Sequence, residues 1–534
     1  MVTKHISAPA QRWLNYQQPA YLRFQQSLQA PRATQLQKLK NYLKENASTT
    51  LGALHHFDKI KDYSDYVQQV PLQTYVTLSP YVADIAHGKT NVLTQEPVVS
   101  FETTSGTTSA AKLIPYTLQL KREFENAVAV WMTALAQTYP HALNGKLYWS
   151  LSPPLKAKRS TVSGIKVGLD SDLEYFSPEV ASVIESMLAV SSPNIGSGSS
   201  ADFFAETLLQ LLMCEELSFI SVWSPTFFLR LDEMLRELFP ELLMRLRNRM
   251  PAQRWDRLNA LNVDEFTWKS LFPNLSLLSA WADAQASLWL SKVRARLGEV
   301  LLQNKGLLST EGIVSIPIEA GLPPVLAINA HFFEFKAMTS DEVLLCDQLE
   351  IGVQYEVIMT TAGGLYRYQT GDVIKVLDYY RPGVPAFEFQ GRKDAISDCV
   401  GEKLSEMQVL EAFGYLQVKE RTDDYQCLFL TVNECASSVQ YSAYIETLRP
   451  FSIQRLHRMA RILESVLSKN PYYQQALALG QLLPLMCVGV PPDFRCEIIE
   501  RLKQTRNIKD GDLKLPILFP SKEWASIGRA SCAV

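Results

Sequence analysis

The chain has 534 residues, too many for one ordinary domain, and we expect two or three domains. Hydrophobic residues make up 47% and charged residues 20%, as in ordinary soluble globular proteins, and no apolar run is long enough to span a membrane. The net charge of −3 leaves no basic surplus to neutralise phosphates, which argues against a nucleic-acid-binding protein.

The first part of the chain predicts helices followed by a strand–loop–strand unit. Residues 11 to about 95 have apolar residues at helical spacing, and we expect them to contribute packing rather than chemistry. Two β-like runs, Val98–Phe101 and Leu113–Tyr116, then enclose a polar loop. Thr117 is a candidate N-cap for the long helix that follows.

The enclosed loop, residues 103–112, reads Thr-Thr-Ser-Gly-Thr-Thr-Ser-Ala-Ala-Lys. Its hydroxyls and backbone N–H groups offer donors for a polyphosphate, Gly106 permits a positive φ, and Lys112 adds a positive charge. A Walker loop does not fit, because Ala111 stands at the second glycine and Leu113 at the magnesium-binding hydroxyl. Taken alone, the segment is better explained as a Ser/Thr-rich surface turn.

The middle of the chain alternates predicted strands and helices, which indicates an α/β domain. We predict strands at Gly145–Leu151 and Leu275–Ala280, and a helical region over residues 201–250. An amphipathic helix is predicted at Gln285–Gln303, and Asn329–Phe335 alternates like a half-buried strand.

An aspartate that follows a glycine is a further candidate for binding. Asp372 closes a predicted turn just before the apolar strand Val373–Leu377. A carboxylate in this position can accept hydrogen bonds from both hydroxyls of a ribose, as acidic residues do in dinucleotide-binding folds. An ordinary aspartate in a Gly-Asp turn is the alternative.

Three segments resemble, in order, the motifs of acyl-adenylate-forming enzymes. Thr104–Lys112 resembles their AMP-binding signature, and Gly306–Gly312 resembles their aromatic-x-x-Ser/Thr-Glu motif. The most specific segment, Glu356–Val373, resembles Thr-x-x-Gly-Leu-Tyr-Arg-Tyr-x-x-Gly-Asp-Val almost without gaps. The whole chain resembles the acyl-acid amido synthetases known as auxin-responsive promoter proteins, which include plant auxin- and jasmonate-conjugating enzymes and bacterial relatives.

The resemblance implies an α/β fold of two domains. A large N-terminal adenylate-forming domain, residues 1–393, would combine mixed β-sheets with flanking helices, and a small mobile α+β domain, residues 394–534, would follow. The pattern after residue 395 agrees, with a predicted strand at Cys427–Val432 and predicted helices at Tyr444–Ser468 and Pro492–Gln504. Asp394 would be the hinge between the two domains.

The resemblance also implies a site. Glu311 would hold Mg²⁺, which prefers one or two carboxylates together with phosphate oxygens, and Lys514 would contact the carboxylate and the α-phosphate in the first step; these two are the predicted catalytic residues. The predicted ATP- and AMP-binding residues are Thr104, Ser105, Gly106, Thr107, Thr108, Lys112, Thr310, Asp372 and Arg392. The predicted acyl-acid pocket contains Val222, Trp223, Phe227 and Phe332, whose types suit a core equally well.

Two residues depart from the family pattern. Leu307 stands where many relatives carry an aromatic residue under the adenine, and Ile517 replaces an arginine of a late loop. The departures motivate one alternative, a nucleotide-binding relative without catalysis. The presence of the predicted phosphate, magnesium, ribose and carboxylate residues together argues against that alternative.

The implied activity is ATP-dependent amide synthesis. A carboxylic acid would be adenylated with Mg²⁺ and release of pyrophosphate, and the acyl group would pass to an amine, that of an amino acid. An acyl-CoA ligase with the same adenylation step is a second alternative. We expect small-molecule partners without nucleic acid or membrane, and a monomer. We also expect a cytoplasmic protein, since the first residues lack a signal-peptide core and the eight cysteines are scattered.

Overall fold

The structure is a computed structural model, in which the described residues form two compact units. It describes residues 6–104, 112–149, 159–169, 171–190, 200–393, 395–420, 422, 424–435, 438–506 and 515–519. The larger unit holds the described residues of 1–104, 110–283 and 290–389, and the smaller unit holds those of 284–289 and 390–534. In this described part of the chain, no helix is both long and apolar enough to cross a membrane.

The larger unit contains twelve α-helices among its described residues. In chain order they are α1 (Ala8–Ser27), α2 (Pro31–Glu45), α3 (Thr50–Leu54), α4 (Tyr63–Gln69), α5 (Tyr75–Ala86), α6 (Leu118–Thr138), α7 (Pro178–Met187), α8 (Ser200–Met213), α9 (Pro225–Leu246), α10 (Ala252–Asn259), α11 (Trp268–Leu271) and α12 (Leu290–Leu297).

Its strands begin directly before the polar loop and continue to the division between the units. They are β1 (Ser100–Thr103), β2 (Leu113–Tyr116), β3 (Lys146–Trp149), β4 (Arg159–Ser160), β5 (Lys166–Val167), β6 (Leu217–Ser221), β7 (Leu277–Ala280), β8 (Leu301–Asn304), β9 (Leu308–Ser309), β10 (Gly312–Ile313), β11 (Ser315–Ile316), β12 (Val325–Leu326), β13 (Phe332–Ala337), β14 (Val343–Leu344), β15 (Gln354–Thr360), β16 (Tyr368–Arg381) and β17 (Val384–Arg392).

Three sheets of the larger unit matter for the site. One has the order β2-β1-β5-β4 and includes the antiparallel pair β1–β2 around the polar loop. A seven-stranded sheet has the order β11-β12-β17-β16-β15-β13-β14. The third, β3-β6-β7-β8, pairs its strands in parallel throughout. All its carboxyl ends therefore lie along one edge, where ligands commonly bind in α/β sheets.

The smaller unit is built around one mixed sheet. Its elements are β18 (Ile396–Ser397), β19 (Leu404–Ser405), α13 (Glu406–Glu420), β20 (Tyr425–Cys435), β21 (Ser438–Thr447), α14 (Ile453–Leu467), α15 (Pro471–Ala478), β22 (Leu482–Val490), α16 (Pro492–Arg506) and β23 (Leu518–Phe519). The sheet order is β22-β21-β20-β23, with stacked aromatic rings of Phe429, Tyr444 and Phe494 on it.

The predicted α/β class, with several sheets and flanking helices, is confirmed. Thr117 caps α6 as predicted, because its side chain accepts a hydrogen bond from the N–H of Leu120 at 3.1 Å. The C-terminal part of the smaller unit starts at residue 390, whereas the mobility of a C-terminal domain and its start at residue 394 stay predictions.

Three secondary-structure predictions are wrong in part. The helix predicted to Gln303 ends at Leu297, and its last residues form β8, which completes the parallel sheet. The helical region of residues 201–250 is interrupted by β6, and residues 444–447 belong to β21. In each case pairing with a neighbouring strand decides the local structure over short-range spacing.

Candidate active site

The ends of the polar loop are held close together by strand pairing. The N–H of Thr104 donates to the carbonyl oxygen of Lys112 at 3.1 Å. The N–H of Leu113 donates to the Tyr75 hydroxyl at 2.8 Å, and the Lys112 ammonium lies 5.8 Å from the centroid of the same ring. Lys112 thus stands at the mouth of the loop. The predicted phosphate-binding residues Ser105, Gly106, Thr107 and Thr108 lie outside the described residues.

The turn that carries Thr310 and Glu311 connects β9 to β10 and is fixed from two sides. The hydroxyl of Tyr116, the last residue of β2, donates to the carbonyl oxygen of Thr310 at 2.7 Å. On the other side, the N–H of Ile313 donates to Nε2 of His331 at 3.2 Å. The turn therefore has a fixed position relative to the strand that leads out of the polar loop.

Gly312, which follows Glu311, is required by close packing. Its φ is +158°, and a Cβ built there would lie 2.4 Å from Nε2 of His331. Such a contact is too short for any side chain. The glycine lets the turn approach the imidazole closely enough for the Ile313 hydrogen bond.

A buried network supports His331 from behind. Its Nδ1 lies 3.1 Å from Oε2 of Glu123 on α6, and Oε1 of that carboxylate accepts from Tyr42 at 2.6 Å and from Lys38 at 2.9 Å. Burial lowers the pKa of His331, against the attraction of Glu123, and the N–H that Ile313 donates to Nε2 requires a neutral ring. Nδ1–H then donates to Glu123 while Nε2 accepts from Ile313, and both ring nitrogens are satisfied.

Glu311 has the features of a metal-binding carboxylate. Its side chain is buried, with 6% exposure, and it makes no hydrogen bond or ion pair with any residue in the described part of the chain. Burial, Glu102 and Glu311 all raise the pKa of Tyr116, so two carboxylates act on that hydroxyl. Glu311 fits a Mg²⁺ ion that would take its other ligands from phosphate and water. The described residues contain no cluster of three or more potential metal ligands.

Asp372 lies within β16 rather than in the predicted turn. Between β15 and β16 the pairs Glu356–Val373 and Ile358–Gln369 leave residues 370–372 opposite Val357 alone, which is a β-bulge. Gly371 has a φ of +81° there. The bulge, rather than a chain reversal, accounts for the Gly-Asp pair.

Asp372 itself is buried, with 6% exposure. Its N–H donates to the Thr370 hydroxyl at 3.0 Å, and that hydroxyl donates to the Val357 carbonyl oxygen at 2.9 Å. A ribose-binding role for the carboxylate stays a prediction.

Other residues of the motif Glu356–Val373 have a structural role. Arg367, with a φ of +45°, pairs with the buried Glu334 at 3.0 Å and donates to the carbonyl oxygen of Val70 at 2.9 Å. The pairing joins β13 to the N-terminal helices. Ala362 accepts a hydrogen bond from the Thr117 hydroxyl at 3.1 Å, which links the motif to the start of α6.

An aromatic cavity lies at the carboxyl edge of the parallel sheet. Its volume is about 10 Å³, enough for about one water molecule. Its aromatic walls are formed by Phe124, Trp131, Trp149, Tyr175, Phe176 and Trp223. Leu308, in β9 at the start of the Glu311 turn, also lines it, so the cavity and the predicted magnesium residue share one segment.

Of the four predicted acyl-pocket residues, only Trp223 is among the residues that line this cavity. Val222 is fully buried, Phe227 packs on Phe204 with ring centroids 5.9 Å apart, and Phe332 lies 6.1 Å from the ring of Tyr66 in the core. Alternating apolar residues do not reveal which face of an element meets a cavity.

Sequence reasoning missed two polar residues of the cavity, Lys305 and Asp172. Lys305 follows β8, and the wrong helix prediction for that segment hid its place at a strand end. Its ammonium donates to the Ser221 hydroxyl at 2.9 Å, and burial lowers its pKa to about 7 against the attraction of Asp172. The only sequence signal was a charged residue shortly after the apolar run Val300–Leu302.

The remaining predicted residues belong to the smaller unit or lie outside the described residues. Arg392 is the last residue of β17 and falls in the smaller unit. Asp394 and Lys514 are outside the described residues. The departures from the family pattern are both buried: Leu307 donates its N–H to the Ser315 hydroxyl at 2.9 Å, and Ile517 is 2% exposed.

The fold is shared with solved ligase structures. The structure is similar to that of AtGH3.15 acyl acid amido synthetase in complex with 2,4-DB, with a TM-score of 0.83 at 19% identity over 96% of each chain. It is also similar to 2-hydroxyisobutyryl-CoA ligase in the postadenylation state, with a TM-score of 0.52 at 13% identity over 94% of this chain and 89% of that one.

The chain belongs to the GH3 family, which confirms the resemblance found in the motifs. The family model for the GH3 family N-terminal domain matches residues 20–302 of the sequence. The family model for the GH3 family central domain matches residues 324–392. Indole-3-acetic acid-amido synthetase GH3.10 of Arabidopsis thaliana is 24% identical over 64% of this chain and 66% of its own length. Jasmonoyl–L-amino acid synthetase JAR6 of Nicotiana attenuata is 23% identical over 68% and 69%. The matches thus span about two thirds of each relative.

Proposed function

We propose that this protein is an ATP-dependent acyl acid amido synthetase that joins a small carboxylic acid to the amine of an amino acid. The names of its GH3 relatives support the reaction class. One structural observation carries the proposal: the segment from Leu308 to Glu311 lines an aromatic cavity at one end and is tied at the other to Tyr116, the last residue of the strand that leads out of the polar loop. An acid with one end at the cavity and a nucleotide at the loop would meet along this segment.

In the first step a carboxylate oxygen attacks the α-phosphorus of ATP, the bond to the bridging oxygen breaks, and pyrophosphate leaves. Positioning and charge neutralisation supply most of the acceleration of such a displacement. Lys112 and the loop residues Ser105, Thr107 and Thr108 would bind phosphate oxygens. Glu311 would hold Mg²⁺, which neutralises charge on those oxygens when bound.

Three further residues complete the adenylation site in this proposal. Asp372 would accept hydrogen bonds from the ribose hydroxyls, and Arg392 would contact the nucleotide. Lys514 would face both the carboxylate and the α-phosphate, then withdraw as the C-terminal domain rotates near Asp394. A cation in that place stabilises negative charge in the transition state and is worth ~10²–10³-fold in rate.

In the second step the amine nitrogen attacks the acyl carbon. The bond from that carbon to the phosphate oxygen breaks, AMP leaves, and the amine loses a proton to solvent. Both bonds form between bound substrates, so the reaction needs no covalent nucleophile from the protein.

The test is pyrophosphate release from ATP across a panel of carboxylic acids, followed by mass spectrometry of the products with pooled amino acids. The proposal predicts acid-dependent pyrophosphate release and an amide product. Coenzyme A consumption without any amide would contradict the proposed acceptor. Nucleotide binding without pyrophosphate release for any acid would contradict catalysis.

A further inference from the structure

The wall of the aromatic cavity carries a cation whose hydrogen-bonding capacity is only partly used. Lys305 is 2% exposed, and its ammonium has three N–H donors. Among the described residues, its one hydrogen-bond acceptor is the Ser221 hydroxyl, at 2.9 Å. The ammonium also lies 4.8 Å from the ring centroid of Trp223 and 5.6 Å from that of Trp131. The indole faces attract the charge but provide no oxygen acceptor.

The position of Lys305 indicates that it binds a ligand rather than stabilises the fold. It follows β8 at the carboxyl edge of the parallel sheet and leads into the segment that ends at Glu311. A buried ammonium is costly unless its donors are satisfied, and an apolar side chain would serve the core better. A group that enters the cavity and accepts a hydrogen bond would satisfy it.

A second polar group on the cavity wall restricts which functional group of a ligand can bind next to Lys305. Asp172 lines the cavity, accepts a hydrogen bond from Nε1 of Trp223 at 3.3 Å and interacts electrostatically with Lys305. A second carboxylate on the ligand would be repelled by Asp172. A hydroxyl can accept from Lys305 and donate to Asp172, and its oxygen has the size of the water that the cavity fits.

We propose that Lys305 and Asp172 form a specificity site for a hydroxyl group on the acyl acid, placed at the end of the acid distant from the reacting carboxylate. This inference rests on the proposed function, because it assigns the cavity to the acyl acid. The effect expected of a hydrogen bond to a charged group is ~10–100-fold in discrimination.

The experiment compares matched acids in wild type and variants. The acids are phenylacetate, 4-hydroxyphenylacetate and 4-carboxyphenylacetate, and the readout is kcat/KM for acid-dependent pyrophosphate release. Wild type should prefer the hydroxylated acid ~10–100-fold over the unsubstituted one and over the dicarboxylate. Lys305→Met should abolish most of this preference, and Asp172→Asn should reduce it. If Lys305→Met fails to fold, the test is whether Asp172→Asn lowers the ratio of kcat/KM for the hydroxylated acid to kcat/KM for the unsubstituted acid.

A matched control removes another lysine on the same sheet. Lys146 in β3 donates to the carbonyl oxygen of Ser186 at 2.7 Å and does not line the cavity. Lys146→Met should leave the preference unchanged. Equal rates for the three acids in wild type, or an unchanged preference in Lys305→Met, would overturn the inference while the proposed function stood.

Calorimetry separates the inference from the reaction. Titration of the same acids into wild type and Lys305→Met measures binding without turnover. If no acid released pyrophosphate but the hydroxylated acid bound more tightly in a Lys305-dependent manner, the proposed function would fail and the specificity site would hold.

Discussion

The hydroxyl of Tyr116 donates a 2.7 Å hydrogen bond to the backbone carbonyl oxygen of Thr310. The two residues are far apart in sequence, and the bond joins the strand after the polar loop to the turn that carries Glu311. If Glu311 binds magnesium, this bond fixes the turn that would hold the metal relative to the strand that leads out of the polar loop.

Tyr116→Phe should therefore impair magnesium-dependent catalysis. We expect kcat/KM for pyrophosphate release to fall roughly 10-fold, with a higher magnesium concentration at half-maximal rate, because the turn loses its anchor. Glu311→Gln should show the same change more strongly, since the metal loses its carboxylate. Rates measured against magnesium concentration test both variants.

A second tyrosine provides the control for Tyr116. Tyr379 also donates to a backbone carbonyl oxygen, that of Leu349, at 2.6 Å. Tyr379→Phe should cost a similar ~1 kcal/mol of stability and leave the magnesium dependence unchanged. Identical magnesium curves for all three variants and wild type would contradict the assigned role of the turn.

The network behind His331 predicts a specific dependence of stability on pH. Burial alone would raise the pKa of Glu123, but Lys38, His331 and Tyr42 lower it to about 2. A carboxylate with a depressed pKa stabilises the fold above its unfolded pKa, about 4.5, and this stabilisation is lost as the pH falls toward 2. Glu123→Gln should be destabilised by roughly 3 kcal/mol at pH 7 and by less at pH 3.

Urea unfolding between pH 3 and 7 measures this difference. Glu241→Gln removes an exposed carboxylate on α9 and serves as the control, with a change within about 0.5 kcal/mol at every pH. A destabilisation of Glu123→Gln that stayed constant over the whole range would show that the carboxylate's charge is not the cause.

Lys305 also makes stability depend on pH, but here the buried charge destabilises the fold, whereas the charge of Glu123 stabilises it. Its pKa is lowered to about 7 in the fold, so between about pH 7 and 10.5 the unfolded chain binds the extra proton. Stability therefore rises with pH in this window, while below pH 7 the full cost of burying the charge remains. Lys305→Met should be more stable than wild type at pH 6, and the difference should shrink toward pH 10. Thermal unfolding at both values checks this; a difference independent of pH would contradict it.

The ribose assignment of Asp372 can be tested through the ligand as well as the protein. Asp372→Ala should weaken ATP binding by about 1.5–3 kcal/mol for each hydrogen bond lost. If the carboxylate contacts the ribose, wild type should also bind 2′-deoxy-ATP more weakly than ATP, and the variant should not distinguish them. Calorimetry with both nucleotides measures this, and the assignment fails if the variant keeps the full discrimination.

The sequence predicted those parts of the fold that depend on short-range signals. The Thr117 cap, β1, β2 and β7 follow from residues that are neighbours in the chain. The family motifs placed Glu311 and Asp372 as candidates, and the structure adds a pinned turn around the first and a bulge around the second.

The aromatic cavity could not be predicted in the same way. It collects side chains from α6, β3, the segment after β6 and the end of β8, and only tertiary packing brings these together. Phe332 illustrates the limit, since its strand was predicted but its side chain faces Tyr63 and Tyr66 in the core. Lys305 is the opposite case: it was not predicted to lie in the pocket, and strand pairing places it in the cavity.

The most direct test of the proposed chemistry follows one oxygen atom. An acid labelled with oxygen-18 in its carboxylate is supplied with ATP, Mg²⁺ and pooled amino acids, and the products are analysed by mass spectrometry. If the carboxylate attacks the α-phosphorus and the amine then attacks the acyl carbon, one labelled oxygen appears in AMP and the other stays in the amide. Unlabelled AMP, or ADP in place of AMP, would contradict an acyl-adenylate intermediate.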